Sequence, residues 1–347
     1  MGNEVSTIGI WGMGGVGKRF LATHMHNKLL EEAGDDFDHV IWVTASQYGN
    51  IYELQKAIAR SINLDISDEC DVKRISGKLL QASKHINRCV LILDNVRDPI
   101  LLGEVGFPVS NDRIKLILTT RSWEVCQSMN CMENIIEVQP LDGKCGEGWK
   151  LFEKTLGIHQ IQPSGVKSIA TTVVEQCGGL PLAIVTIARS MKGKKQYREW
   201  NHMLECLQNL RNGQDDMEKW IFPVLKSSCA CLNNKLLQSF FLYAALSAEY
   251  YYDNDIWCLI KRFFIEGSTD ETKSLEMQYN EGYTLLDKLK NNSLVIKMEI
   301  RWTIHPLLRG MAINIAKATE EIMAKSDMNL IEIPEMANGM KIYKKVF

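Results

Sequence analysis

Near the start of the chain, Gly12-Met13-Gly14-Gly15-Val16-Gly17-Lys18 satisfies the spacing G-x-x-x-x-G-K. Residues of this kind in this order suit the gripping of phosphate. Glycines let successive backbone N–H groups turn inward as an anion nest, and a helix that starts at the lysine adds its positive dipole end. Lys18 supplies a mobile point charge for outer phosphates. Gly12, Gly14, Gly15, Val16, Gly17 and Lys18 are therefore candidate phosphate ligands, with Arg19 beside them. The spacing carries this meaning only between a strand and a helix, which is how the flanks "STIGIWG" and "FLATHMHNKLL" read. A glycine-rich turn without a ligand is the plainer alternative.

Arg19 breaks the pattern. A Ser or Thr at that position normally ligates a magnesium ion through its hydroxyl, and a guanidinium cannot. Its positive charge would either repel a divalent cation or pair with a phosphate directly. Nucleotide binding is then expected to survive with weakened dependence on Mg2+. A second departure lies further on. "LILDN", Leu91 to Asn95, is an apolar run that ends in a carboxylate. This is the Walker B arrangement, in which Asp94 faces the metal through water, although an Asp that merely caps a strand looks the same. The next residue is usually acidic where water is activated. Asn95 has the size but no basicity at neutral pH. Both departures predict weak or absent hydrolysis.

The surrounding elements must hold these groups in place. "STIGIWG", "HVIWVTAS", "CVLILDNV" and "IKLILTT" read as buried strands rich in Ile, Val and Leu. Between them, Leu21, Met25 and Leu29, and then Leu54, Ile58 and Ile62, recur at helical spacing. Alternating strands and helices predict a parallel sheet covered on both faces. After about Val138 the strand signals thin out. "GVKSIATTVVEQCGGLPLAIVTIARSM" reads as two helices broken at Gly178-Gly179 and Pro181, and "YREWNHMLECLQNL" as a third. A polar joint, "RNGQDDMEK", opens a further helical block that closes with the hairpin pattern "LVIKMEIRWTIH". The expected architecture is an α/β P-loop NTPase domain over residues 1–138, a helical domain over 139–212, a winged-helix domain over 213–316 and a tail over 317–347.

Bulk properties exclude some partners. A net charge of -2 over 347 residues gives no drive toward nucleic acid or an anionic membrane. The 10 Cys form no C-x-x-C pair, which together with the lack of a secretory segment predicts reduced thiols and a cytoplasmic location. No apolar run reaches membrane-spanning length. "MGNEVS" fits the loose pattern for myristoylation at Gly2, so peripheral membrane contact is expected only if Gly2 is modified.

The ordered set "GMGGVGK", "FDHVIWVTAS", "LILDN", "LILTTRS", "GGLPLAI", "SFFLYAALSAEYY" and "IHP" resembles the NB-ARC module of plant disease-resistance proteins of the NLR type, which are STAND-class ATPases. "VIWVTAS" and "FFLYAALSAEYY" resemble the coiled-coil branch, although neither the coiled coil nor the leucine-rich repeats of that branch is visible here. The resemblance implies ADP or ATP as ligand. It casts Arg121 as the sensor of a γ-phosphate and Pro181 as a packing surface for adenine. It has His305 reaching the β-phosphate of ADP from the winged helix. It also implies other NLR chains or host immune-signalling proteins as partners. Departures accompany it: Ile304-His305-Pro306 replaces M-H-D, Arg97 replaces a Trp, and Cys229-Ala230 replaces a Tyr-Asp pair. Three readings follow. The first is a nucleotide-dependent switch of a plant immune receptor, and the second an inactive scaffold that regulates full-length NLR partners. The third, a small-molecule kinase, lacks an acceptor site and a catalytic base.

Overall fold

A computed structural model describes residues 6–45, 50–109, 113–131, 134–141, 146–157, 164–209, 221–230, 232, 234–247, 250–267, 274–298 and 300–326. The Gly2 motif, the joint at 211–219 and the stretch at 328–347 lie outside the described residues. The chain separates into two compact units, 1–139 and 140–347.

The first unit runs β1 (Thr7–Trp11), α1 (Lys18–Asp36), β2 (His39–Thr44), α2 (Ile51–Ser61), α3 (Val72–Ser83), β3 (Cys89–Val96), α4 (Leu102–Val105), β4 (Ile114–Thr120), α5 (Trp123–Ser128) and β5 (Ile135–Glu137). Its sheet is ordered β2-β3-β4-β1-β5, and every pairing is parallel. Successive residues of β3 point to opposite faces, and both faces are buried. Val90 and Ile92 meet Ile10, Ile117 and Ala22 on the side of α1. Leu91 and Leu93 pack with Ile58 of α2 and Leu79 of α3 on the other side. Each such side chain contributes roughly 1.5–3 kcal/mol on burial, so the continuous apolar runs are explained by cover on both faces.

Four elements go beyond the sequence expectation here, the helices α3, α4 and α5 and the strand β5. Helix α3 has a clear start, because the Asp71 carboxylate accepts from the N–H groups of Lys73 and Arg74 at 2.7 and 3.2 Å. Strand β5 is three residues long and forms the sheet edge beside β1, too short for a periodicity signal.

The second unit runs α6 (Glu147–Leu156), α7 (Ser164–Gln176), α8 (Pro181–Ser190), α9 (Tyr197–Asn209), α10 (Phe222–Ala230), α11 (Lys235–Ser247), β6 (Tyr250–Tyr252), α12 (Asp253–Gly267), α13 (Leu275–Asn291), β7 (Ile296–Met298), β8 (Arg301–Thr303) and α14 (Pro306–Ser326). Pro181 opens α8 at its first position, where its missing N–H is no loss. Strands β7 and β8 form an antiparallel hairpin, and β6 adds a third strand to give the order β6-β8-β7. Trp302 on β8 ties this sheet to the start of α12, its indole N–H donating to Asp253 Oδ1 at 2.7 Å. No helix among the described residues is long and apolar enough to cross a membrane.

Candidate functional site

The sheet directs its C-terminal edge toward the phosphate loop. β1 ends at Trp11, the loop turns through Gly12 to Gly17, and α1 begins at Lys18 with Gly17 as its N-cap. Gly12 has φ +144°, and a Cβ there would lie 2.5 Å from the carbonyl oxygen of Val138. Only glycine fits, because the next strand's exit passes directly against the loop. The first backbone bond of α1 runs from the Leu21 N–H to the Gly17 carbonyl at 3.0 Å. The N–H groups of the turn before it are then aimed out of the helix end, and no acidic residue lies in that turn to compete for them. This donor set fits a polyphosphate.

The Lys18 ammonium folds into the loop. It donates to the carbonyls of Gly12 at 2.6 Å and Met13 at 2.9 Å. Burial lowers its pKa from 10.5 to about 7, helped by the nearby Arg121 guanidinium and opposed by Asp94. Lys18 is therefore within electrostatic reach of two other expected site residues, Arg121 and Asp94. Arg121 follows β4 in a turn that the Thr120 hydroxyl shapes by accepting from the Ser122 N–H at 3.1 Å.

Asp94 is where the structure adds most to the sequence reading. Arg19, expected either to repel a metal or to pair with a phosphate, has a third partner. Its Nε donates to Asp94 Oδ2 at 2.6 Å, with side-chain exposures of 63% and 2% respectively. The other carboxylate oxygen, Oδ1, accepts from the Thr119 hydroxyl at 2.7 Å, and Thr119 Oγ1 in turn accepts from the Asn95 N–H at 2.9 Å. The β3–β4 register shifts between Leu93 and Val96, and Asn95 sits there at φ +59°, a left-handed conformation that Asn tolerates better than most residues. This bulge aims the carboxylate. Sequence reasoning missed Thr119, whose signal is a hydroxyl at the end of an otherwise apolar run.

Magnesium does not fit this arrangement. The hydroxyl ligand is replaced by a cation, and the carboxylate meant to face the metal is already engaged on both oxygens. No group of three or more His, Cys, Asp or Glu among the described residues could hold a metal ion.

Pro181 and His305 belong to the second unit. Pro181 is half-buried at the start of α8. His305 is buried, just before α14. Its Nδ1 accepts from the Leu307 N–H at 3.2 Å, so Nε2 carries the ring proton and donates to the Gly178 carbonyl at 3.0 Å. Burial lowers the His305 pKa from 6.5 to about 4, against the raising effect of the Gly178 carbonyl. The ring is neutral and spans 127 positions of sequence, joining the "GGLPL" turn to the head of α14.

A parallel sheet with a glycine loop at the end of β1, a carboxylate at the end of β3 and helices on both faces defines a P-loop NTPase-like fold. Among solved structures, the ORC2 protein of Aeropyrum pernix in ADPNP–ADP complexes aligns with a TM-score of 0.55 at 16% identity, covering 91% of this chain and 89% of that one. Residues 1–161 match the family model described as NB-ARC domain, and the chain carries that domain. It is also similar to two proteins of Arabidopsis thaliana. The probable disease resistance protein At5g47250 is 31% identical over 349 residues, covering 99% of this chain and 40% of that protein. Disease resistance protein RFL1 is 32% identical over 352 residues, covering 97% and 39%. The chain thus spans about two fifths of the length of these relatives, 40% and 39%. The family implies nucleotide binding.

Proposed function

We propose that this chain is the ADP/ATP-binding switch module of a plant intracellular immune receptor, with impaired hydrolysis and a cytoplasmic location. The observation that carries the reading is the phosphate cradle itself: a glycine loop fixed against Val138, free helix N–H groups, and Lys18 with Arg121 beside it. The NB-ARC match and the disease-resistance relatives support the setting. In this reading residues 139–212 are the helical domain. Residues 213–316 are the winged helix, a role that the β6-β8-β7 sheet beside α12 and α13 suits.

The chain's own residues do two kinds of work. The loop N–H groups and Lys18 hold phosphate oxygens, and Arg121 reads the outermost one. Asn95 cannot take a proton from water, and Arg19 covers the carboxylate that would help order it. Nucleotide state then biases domain packing by differential contacts, with little turnover to reset it. Partners are other NLR chains or host immune-signalling proteins.

A second reading, an NLR-derived scaffold that binds partners without nucleotide, draws on His305. Its only N–H is spent on the Gly178 carbonyl rather than free for a β-phosphate. Denaturing purified protein and identifying the released nucleotide separates the two. ADP in the parent and none in Lys18→Ala supports the switch. An empty parent whose melting does not respond to ADP supports the scaffold, and brisk hydrolysis would refute the impaired site.

A further inference from the structure

We infer that Arg19 is a built-in counter-ion: its guanidinium takes the place beside Asp94 that a divalent cation needs, so the chain grips a nucleoside diphosphate without magnesium. The inference rests on the nucleotide-binding reading above and adds its ionic requirement.

Arg19 stands one residue after the phosphate-gripping lysine, on the first turn of α1, and Asp94 stands at the end of β3 on a bulge. In the usual arrangement a hydroxyl and a carboxylate at these two places share a metal. Here the same two places are joined directly, Nε to Oδ2 at 2.6 Å. Magnesium demands near-octahedral oxygen ligation. The site offers it one carboxylate, whose other oxygen already accepts from the Thr119 hydroxyl at 2.7 Å, and Arg19 contributes no lone pair. Displacing the guanidinium would leave a carboxylate of 2% exposure without its counter-charge, which is unfavourable.

Charge accounting agrees. The pair spends only the Nε–H of a guanidinium that carries five donors, so the Nη groups of this 63% exposed side chain remain to meet a phosphate oxygen. Arg19 therefore does what a bridging cation does: it neutralises the buried carboxylate on one side and presents positive charge on the other. Lys18 lies within electrostatic reach of Asp94 on one side and of Arg121 on the other.

The test is calorimetric titration of the full chain with ADP, once with magnesium and once with excess EDTA. The dissociation constants should agree within about twofold for the parent, whereas magnesium should tighten ADP binding by about tenfold or more in Arg19→Thr. Manganese paramagnetic resonance gives a second readout: a protein-bound signal with ADP in Arg19→Thr and none in the parent. Loss of tenfold or more in parent affinity on adding EDTA, or a protein-bound manganese signal in the parent, overturns the inference. If the parent binds no ADP in either buffer, the nucleotide reading fails separately. A cycle of Arg19→Met and Asp94→Asn melting temperatures then decides whether the ion pair fills the seat. A combined shift smaller than the sum of the two supports it, and simple additivity overturns it.

Discussion

Lys18 makes nucleotide affinity dependent on pH in a way that can be worked through. In the ligand-free loop its pKa is about 7 instead of 10.5, chiefly because burial strips water from the ammonium and next because Arg121 faces it. A bound phosphate chain supplies the missing negative charge and returns the lysine to its charged form. Above pH 7 binding must therefore draw in a proton. At pH 8 about nine tenths of a proton should be taken up per nucleotide, and affinity should fall about 50-fold between pH 7 and pH 9, or about 2.3 kcal/mol. Titration calorimetry at pH 8, in buffers of different ionisation enthalpy, reads the proton directly. Lys18→Arg is the matched control. Arginine stays charged throughout, so its affinity, though weaker, should be flat with pH. A parent whose ADP affinity is also flat from pH 7 to 9 with no proton uptake would refute the burial argument. The sign for the empty fold also follows. Between about 7 and 10.5 the folded state binds fewer protons than the unfolded chain, so stability rises with pH across that window, and Lys18 adds no slope below it.

Three further outcomes are expected. Thr119→Val leaves the Asn95 N–H and Asp94 Oδ1 without the hydroxyl that serves both; it should lower unfolding stability in urea by about 1–3 kcal/mol, and Thr119→Ser should restore most of it. Gly178→Ala is disfavoured by a φ of +58° and by a Cβ only 2.6 Å from His305 Nε2; it should cost about 1–3 kcal/mol by melting. Combining it with His305→Ala, which removes the ring, should cost less than the sum of the two. For His305, whose folded pKa of about 4 lies below 6.5, the unfolded chain takes the proton first. Stability should fall as pH drops through 6.5 toward 4, by up to about 3 kcal/mol, and His305→Gln should flatten that slope in urea titrations.

What could be read from the sequence, and what could not, divides by the range of the interaction. The phosphate loop was legible because its geometry is a backbone requirement: at Gly12 a Cβ meets Val138, and no other residue type can stand in. The strands β1 to β4 were legible because cover on both faces forces unbroken runs of Ile, Val and Leu. Helix α3 was not anticipated, although Asp71 as cap with Ile75 and Leu79 one turn apart is a local signal for it. Strands β5 and β6, three residues each, are defined by the neighbours they pair with, and no local pattern carries that.

Arg19 and Asp94 illustrate the middle case. Arg19 was visible as a departure and Asp94 as the expected Walker B carboxylate, and Arg19 alone predicted a weakened metal site. What the residue types did not state is that the two groups, 75 positions apart, compensate each other. Yet the information was implicit. A phosphate loop places its post-lysine residue and the carboxylate at the end of β3 around one shared cation, so an arginine at the first position has a carboxylate within reach. A substitution that looks like the loss of a ligand can thus be the gain of a counter-charge. The two possibilities differ measurably, because loss alone predicts that Arg19→Met is harmless to the fold. A compensating pair predicts that it strands a carboxylate of 2% exposure, and that Asp94→Asn then relieves the damage.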